Sequence, residues 1–201
     1  MKRYILSVNT MSGSCRVAVS EETIILSKKK VVVETGYSEI LLPLIKDTIA
    51  EAGLNVSQLD GFLVCTGPGN YTSLRIAISL IRGLSLACGK PACGISLFEL
   101  LSSKNGNVLV LIKGPAGKVY TQAFSNGNEL TPAKLMTINE IAQTESFLGC
   151  EAIGYRAKEI VASLNSKKFS ELTNVCFDTF IKIGLEKLKK ESVRPAPIYI
   201  K

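Results

Sequence analysis

The most constraining run in this sequence is residues 59–91. It holds an apolar stretch from Leu59 to Thr66, the turn Gly67-Pro68-Gly69-Asn70-Tyr71-Thr72, and a long stretch from Thr72 to Cys88 that closes on Gly89-Lys90-Pro91. Apolar strand, tight glycine turn and long helix are the building unit of an α/β sheet, and the glycine and proline at the end stop the helix. The helix cannot be an ordinary surface element. Leu74, Ala77, Ile78, Ile81 and Leu84 make one apolar face, and Ile76, Leu80, Gly83 and Ala87 make another. Only Arg75, Ser79 and Arg82 form a polar strip between them. A helix apolar on two sides is covered on two sides. Its own sheet covers one; more of this chain, or a second chain, covers the other.

The neighbour within the chain is a helix expected from Glu39–Leu41 to Ala52, ended by Gly53. Leu41, Leu44, Ile45, Ile49 and Ala52 share a face, and Ile40, Leu42 and Leu44 broaden it. Pro43 is tolerated only within the first turn or so, which sets the expected start. Two broad apolar helices side by side look like half of a four-helix interface. The expected contact residues are Ile40, Leu44, Ile76 and Leu80, with Arg75, Ser79 and Arg82 at the edge, while Ile78 and Ile81 face inward.

Before these helices, Tyr4–Val8, Cys15–Val19 and the runs 23–26 and 31–35 read as a three-strand meander. Ala92–Ile95 reads as a strand and Leu97–Leu101 as a short helix. The pattern restarts after Asn105-Gly106-Asn107. Val108–Ile112 and Lys118–Phe124 are strands, Asn126-Gly127 is a hairpin signal, and Asn139–Thr144 is a helical turn. Glu151–Ile153 follows as a strand, Ala157–Leu164 as a helix, and Cys176–Lys190 as a longer helix with Ile181, Leu185 and Leu188 on one face. The chain divides into two α/β halves, 1–104 and 105–201, the second poorer in regular elements.

Composition narrows the chemistry. Among 201 residues there is no histidine. That excludes Ser-His-Asp and Cys-His catalysis, histidine-ligated zinc and a histidine general base. Lys and Arg number 24 against 17 Asp and Glu, a net charge of +7. Such a balance fits nucleic acid or an acidic partner, and equally a solvated lysine-rich surface, because the lysines lie in short scattered runs. The six cysteines have neither C-x-x-C pairing nor framework spacing and sit mostly in apolar strings, which reads as free buried thiols in a reducing compartment. The apolar run after Met1-Lys2-Arg3 is too short for a signal segment, and Arg75 and Arg82 interrupt the longest apolar helix. The expectation is a soluble cytoplasmic protein without a membrane span.

Two turns are candidate ligand sites. Gly67, Gly69 and Asn70 precede a helix N-terminus, where backbone N–H groups attract anions. Thr10 belongs to the turn Asn9–Ser14 at the end of the first strand. A phosphate site and a tight connection made only for packing are both compatible with these residues. A phosphotransferase on such a hairpin wants a carboxylate at position 9 for magnesium-bound water, and position 9 is Asn.

Three strings together resemble a known family: Ile5-Leu6-Ser7-Val8-Asn9-Thr10, Tyr37-Ser38-Glu39-Ile40-Leu41-Leu42-Pro43, and Gly67-Pro68-Gly69-Asn70-Tyr71-Thr72-Ser73-Leu74-Arg75-Ile76. Val119-Tyr120 and Pro197-Ile198-Tyr199-Ile200-Lys201 add weaker matches. Their order and spacing are similar to TsaB (YeaZ) proteins. The resemblance implies an actin-like (ASKHA, ribonuclease H-like) two-lobed α/β fold with mixed sheets, flanking helices and a shortened second lobe. It also implies a non-catalytic scaffold and activator of a TsaD-like threonylcarbamoyl transferase. With a TsaE-like ATPase, that assembly forms threonylcarbamoyladenosine beside the anticodon of tRNAs reading codons that begin with A. No cofactor or metal is assigned to the chain; ATP and magnesium act through the partner complex, tRNA is met through it, and the two helices after the meander contact the partner or, alone, a second copy. The family usually has Asp where Asn9 stands, His at Tyr37, Ser-Phe-Thr-Gly at Asn70-Tyr71-Thr72-Ser73 and Asp-Ala-Arg at Lys113-Gly114-Pro115. The transferase paralogue holds its metal with paired histidines, which this chain lacks. The alternatives are a nucleotide-binding phosphotransferase or hydrolase of the same fold, and a tRNA-binding module driven by the positive charge.

Overall fold

A computed structural model describes residues 2–11, 13–102, 105–171, 176–190 and 194–200. Three antiparallel strands come first: β1 (Tyr4–Asn9), β2 (Ser14–Glu21) and β3 (Ile24–Val32). Helix α1 (Tyr37–Glu51), strand β4 (Gly61–Cys65), helix α2 (Tyr71–Cys88) and strand β5 (Ala92–Ile95) follow. Then come α3 (Leu97–Leu101), β6 (Asn107–Lys113), β7 (Val119–Ser125), β8 (Asn128–Glu129), β9 (Lys134–Met136) and α4 (Ile138–Ala142). The last elements are β10 (Glu151–Gly154), α5 (Ala157–Val161), β11 (Phe169–Ser170) and α6 (Phe177–Lys190).

The elements form two compact units. One comprises Met1–Ser96 with Cys176–Ile198, the other Leu97–Val175 with the last three residues. The first unit's sheet has the order β3-β2-β1-β4-β5, with β1, β4 and β5 parallel. Both faces of its middle strands are covered, so β2 and β4 are buried almost throughout instead of alternating. On one face, Leu6, Val8, Val17, Val19, Phe62 and Val64 make a core with Leu41, Ile45, Ala77, Ile78 and Ile81 of α1 and α2. On the other, α6 packs on β1, β4 and β5. There Gly184 lets the helix come down onto Leu63, whose side chain occupies the space a Cβ would need. Lys187 Nζ donates to the Gly94 carbonyl at 3.2 Å.

That placement of α6 differs from the expected division at 104/105. Of the expected stripe, Ile181 and Leu185 are buried together with Phe180 and Gly184, and Leu188 is half-buried. The pattern cannot say which sheet it covers, and it covers the first. The chain then stays with that unit: Ile198 N–H donates to the Thr66 carbonyl at 3.1 Å. The first crossing falls at 96/97, because α3 packs on β6. Residues 103 and 104, beside the expected boundary, lie outside the described residues.

Helix α1 also starts earlier than expected, at Tyr37 behind Gly36 in the left-handed region. Pro43 therefore sits in the second turn. Its ring faces water, so the Glu39 carbonyl that loses its intrahelical donor can be solvated. The second sheet runs β11-β10-β6-β7-β8 with β9 also on β7. The short strands β9 and β11 have no sequence signature; two or three residues are too few to show alternation. The Asn126-Gly127 turn joins β7 to β8 with both residues at positive φ, as that dipeptide signals. Cys15, Cys65, Cys93 and Cys150 are buried, Cys88 is half-buried, Cys176 is exposed, and none is in a disulfide.

Candidate functional site

The glycine turn is closed by its own protein groups. Asn70 caps α2: its side chain accepts from Thr72 N–H at 3.0 Å and Ser73 N–H at 3.2 Å. Thr10 is buried, and its hydroxyl donates to the Ser73 carbonyl at 3.1 Å while the Ser73 hydroxyl donates back to the Thr10 carbonyl at 3.2 Å. The end of β1 is thus tied to the start of α2. A Cβ at Gly69 would overlap the Met11 side chain, standing 2.9 Å from its Sδ. Gly67 takes φ +88 with Leu74 against it. The close approach these glycines permit is to Met11 and Leu74. Two of the helix N-terminal N–H groups that an anion would use are engaged by Asn70. Of the expected turn residues, Thr10, Gly67, Gly69 and Asn70 come together around this connection. Their geometry matches the packing role, the reading the sequence left open beside a phosphate site. Asn9 is buried and its Oδ1 accepts the Met11 N–H at 2.9 Å, holding the turn's shape. Ser12, in the same turn, lies outside the described residues.

Beside this turn the strand chemistry is polar and dry. Arg16 is buried, and its Nε donates to the Ser14 hydroxyl at 3.1 Å. Burial lowers the pKa of its guanidinium from the ordinary value. Burial pushes the Cys15 thiol up, and pushes the Tyr37 hydroxyl up with a smaller contribution from Cys15. Tyr37 donates to the Val33 carbonyl at 3.1 Å, which makes it a structural tyrosine.

The helix pair behaves differently. α1 and α2 pack on each other and share one core. Ile78 and Ile81 are buried, as expected. Ile40, Ile76, Leu80 and Leu84 are half-exposed, resting on that core with part of each side chain in water. Ile76, Leu80 and Leu84 repeat every four residues, so they form one stripe along α2. Parallel to it run Arg75, Ser79, Gly83 and Ala87, all exposed. Leu44 departs from its expected place on the contact surface: at 7% exposure it belongs to the core, because the 3.6-residue turn carries it around with Leu41 and Ile45. Arg82 is half-buried and lines a cavity at the C-terminal end of α2. The sequence reading missed Leu86 on the same turns, 82% exposed. Its position outside both apolar faces was the available signal.

Among the described residues no helix is long and apolar enough to cross a membrane. The family described as "TsaD: tRNA N6-adenosine threonylcarbamoyltransferase" matches residues 29–189. A tRNA threonylcarbamoyladenosine biosynthesis protein TsaB of Buchnera aphidicola is 29% identical over 136 residues, covering 65% of this chain and 64% of the relative. The chain therefore aligns with less than two thirds of that relative's length. The structure of YeaZ from Pseudomonas aeruginosa matches with a TM-score of 0.78 at 21% identity, over 98% of this chain and 100% of that one. Component A of (R)-2-hydroxyglutaryl-CoA dehydratase from Acidaminococcus fermentans matches with a TM-score of 0.52 at 12% identity, over 94% of this chain and 98% of that one. The fold is thus the actin-like α/β fold, with one mixed sheet in each unit.

Proposed function

The chain belongs to the TsaD family, with TsaB (YeaZ) proteins as its relatives, and from that premise we propose that it is a non-catalytic subunit in tRNA threonylcarbamoyladenosine formation. It binds a TsaD-like transferase through the α1–α2 surface and activates it. A TsaE-like ATPase works with that complex, ATP and magnesium act there, and tRNA is met there. Without the partner the same surface pairs two copies of this chain.

The observation that carries the reading is the stripe Ile76, Leu80 and Leu84 beside Ile40, half-exposed on a well-packed two-helix core. An apolar stripe costs stability in water unless something covers it. The neighbouring row Ser79, Gly83 and Ala87 presents almost no side chain, and a Cβ at Gly83 would meet nothing. A partner helix can therefore approach closely. The absence of histidine supports a non-catalytic role, since the transferase paralogue relies on histidine metal ligands. The reading as a phosphotransferase finds little support at β1. Asn9 supplies no carboxylate there, and its side-chain oxygen is already engaged.

The test is co-purification with the transferase-type partner, followed by assay of tRNA modification, for the wild type and Leu80→Asp. The carboxylate would be buried unpaired in the complex and wet in the free chain. Loss of both assembly and modification, with the fold retained, is the expected result. Normal assembly by Leu80→Asp overturns the proposed surface, and ATP turnover by the isolated chain overturns the non-catalytic role.

A further inference from the structure

At the opposite end of α2 from the glycine turn, a cavity of about 650 Å³ is lined by the helix's last turns, the start of β5 and residues 194–195. Three cations converge on it: Arg82, Lys90 and Arg194. Lys90 is already held by Asp60, Nζ to Oδ1 at 3.2 Å. Arg82 and Arg194 have no ion-pair or hydrogen-bond partner among the described residues. The rest of the lining is mixed: Leu86, Pro91, Ala92 and Pro195 supply apolar surface, and Ser85 and Gly89 stand beside them. At 82% exposure, Leu86 is the most exposed large apolar side chain among the described residues.

Arg82 stands before the last turn of α2, so the helix dipole does not account for it. Arg194 comes from a different segment, and nothing in α2 itself gives a reason for its joining Arg82 at one cavity. Two guanidinium forks match carboxylates or phosphates. The surroundings choose between these. A nucleic-acid groove wants aromatic faces for bases and uniform positive charge. Here no aromatic side chain lines the cavity among the described residues, Leu86, Pro91 and Pro195 supply apolar surface, and the Asp60 carboxylate sits beside Lys90. A volume of this size suits a few side chains of a peptide.

We propose that this cavity docks an acidic peptide segment of a partner protein. Carboxylates of the segment take Arg82 and Arg194, and an apolar side chain between them covers Leu86. The site lies at the C-terminal end of α2 and shares Arg82 with the edge of the α1–α2 surface, while Leu80 is not among its lining residues.

The test uses the intact chain and the peptide acetyl-Asp-Glu-Leu-Leu-Glu-Asp-amide, followed by NMR of the arginine Nε–H signals. Saturable, salt-sensitive shifts of Arg82 and Arg194 are expected. Losing either charged fork should weaken binding about tenfold, in Arg82→Gln and in Arg194→Gln, with backbone spectra otherwise unchanged. Leu86→Ser should weaken it severalfold. Leu80→Asp should bind the peptide like the wild type, which separates this site from the proposed partner surface. No saturable shift at millimolar peptide overturns the proposal. So does equal binding of a peptide with serines for the leucines, or tighter binding of a single-stranded oligouridylate to the same arginines.

Discussion

The glycine turn and the helix pair adjoin at the start of α2, and they treat their polar and apolar groups in opposite ways. In the turn, Asn70, Thr10 and Ser73 find hydrogen-bond partners inside the fold, and Met11 and Leu74 fill the space that the glycines leave. In the helix pair, Ile40, Ile76, Leu80 and Leu84 keep part of their apolar surface in water. A region whose groups are all matched internally has little left to offer a ligand. A region with unmatched apolar surface still gains by binding. The most distinctive string in the sequence thus serves packing, while the less distinctive helix pair keeps apolar side chains partly in water.

The sharpest break of this comparison lies within α2. Ile81 is fully buried, so Ile81→Asp should cost the fold about 4 kcal/mol or more and abolish cooperative unfolding near the wild-type midpoint. One position earlier, Leu80→Asp should lower stability by only about 1 kcal/mol, since part of that side chain is already wet. Thermal melts of the two variants check this, and equal melting temperatures would put the face assignment wrong. The turn makes the next largest demand. Gly69→Ala forces Met11 to repack at a cost of about 1–3 kcal/mol. Pairing it with Met11→Ala should recover much of that cost. Strict additivity in urea unfolding would mean that Met11 is not what the glycine accommodates. Asn70→Ala removes the α2 cap and should cost about 1 kcal/mol, without affecting partner binding.

The smallest effect comes from pH. Burial holds protons on Cys15, Tyr37 and Cys150 past the point where the unfolded chain releases them. Their contribution is complete below the ordinary thiol value of about 8.5 and is lost as pH rises through the higher folded values. Stability measured from pH 7 upward should therefore decline above about pH 9. Cys15→Ser in the first unit and Cys150→Ser in the second should each flatten part of that decline. A stability that rises with pH in this range contradicts the burial argument.

Local chemistry decided much of this protein. Gly89 ends α2, Asn70 begins it, Asn126-Gly127 turns β7 into β8, and the inward setting of Ile78 and Ile81 follows from their spacing. These features depend on residues within a turn or two of each other, where backbone preference and helical period act directly. The absence of histidine, a matter of composition alone, excluded whole classes of chemistry.

Tertiary structure decided what local patterns leave equivalent. The apolar stripe of α6 could cover either sheet, and it covers the first, where Gly184 admits Leu63 at close range. Pro43 could end a helix or lie within one, and it lies within α1, where its exposure leaves the freed carbonyl open to water. Leu44 could face a partner or the core, and the packing of α1 on β2 buries it. The cavity at Arg194 joins segments more than a hundred residues apart from Arg82. No window of sequence contains both arginines, because only the return of the chain after α6 brings them together.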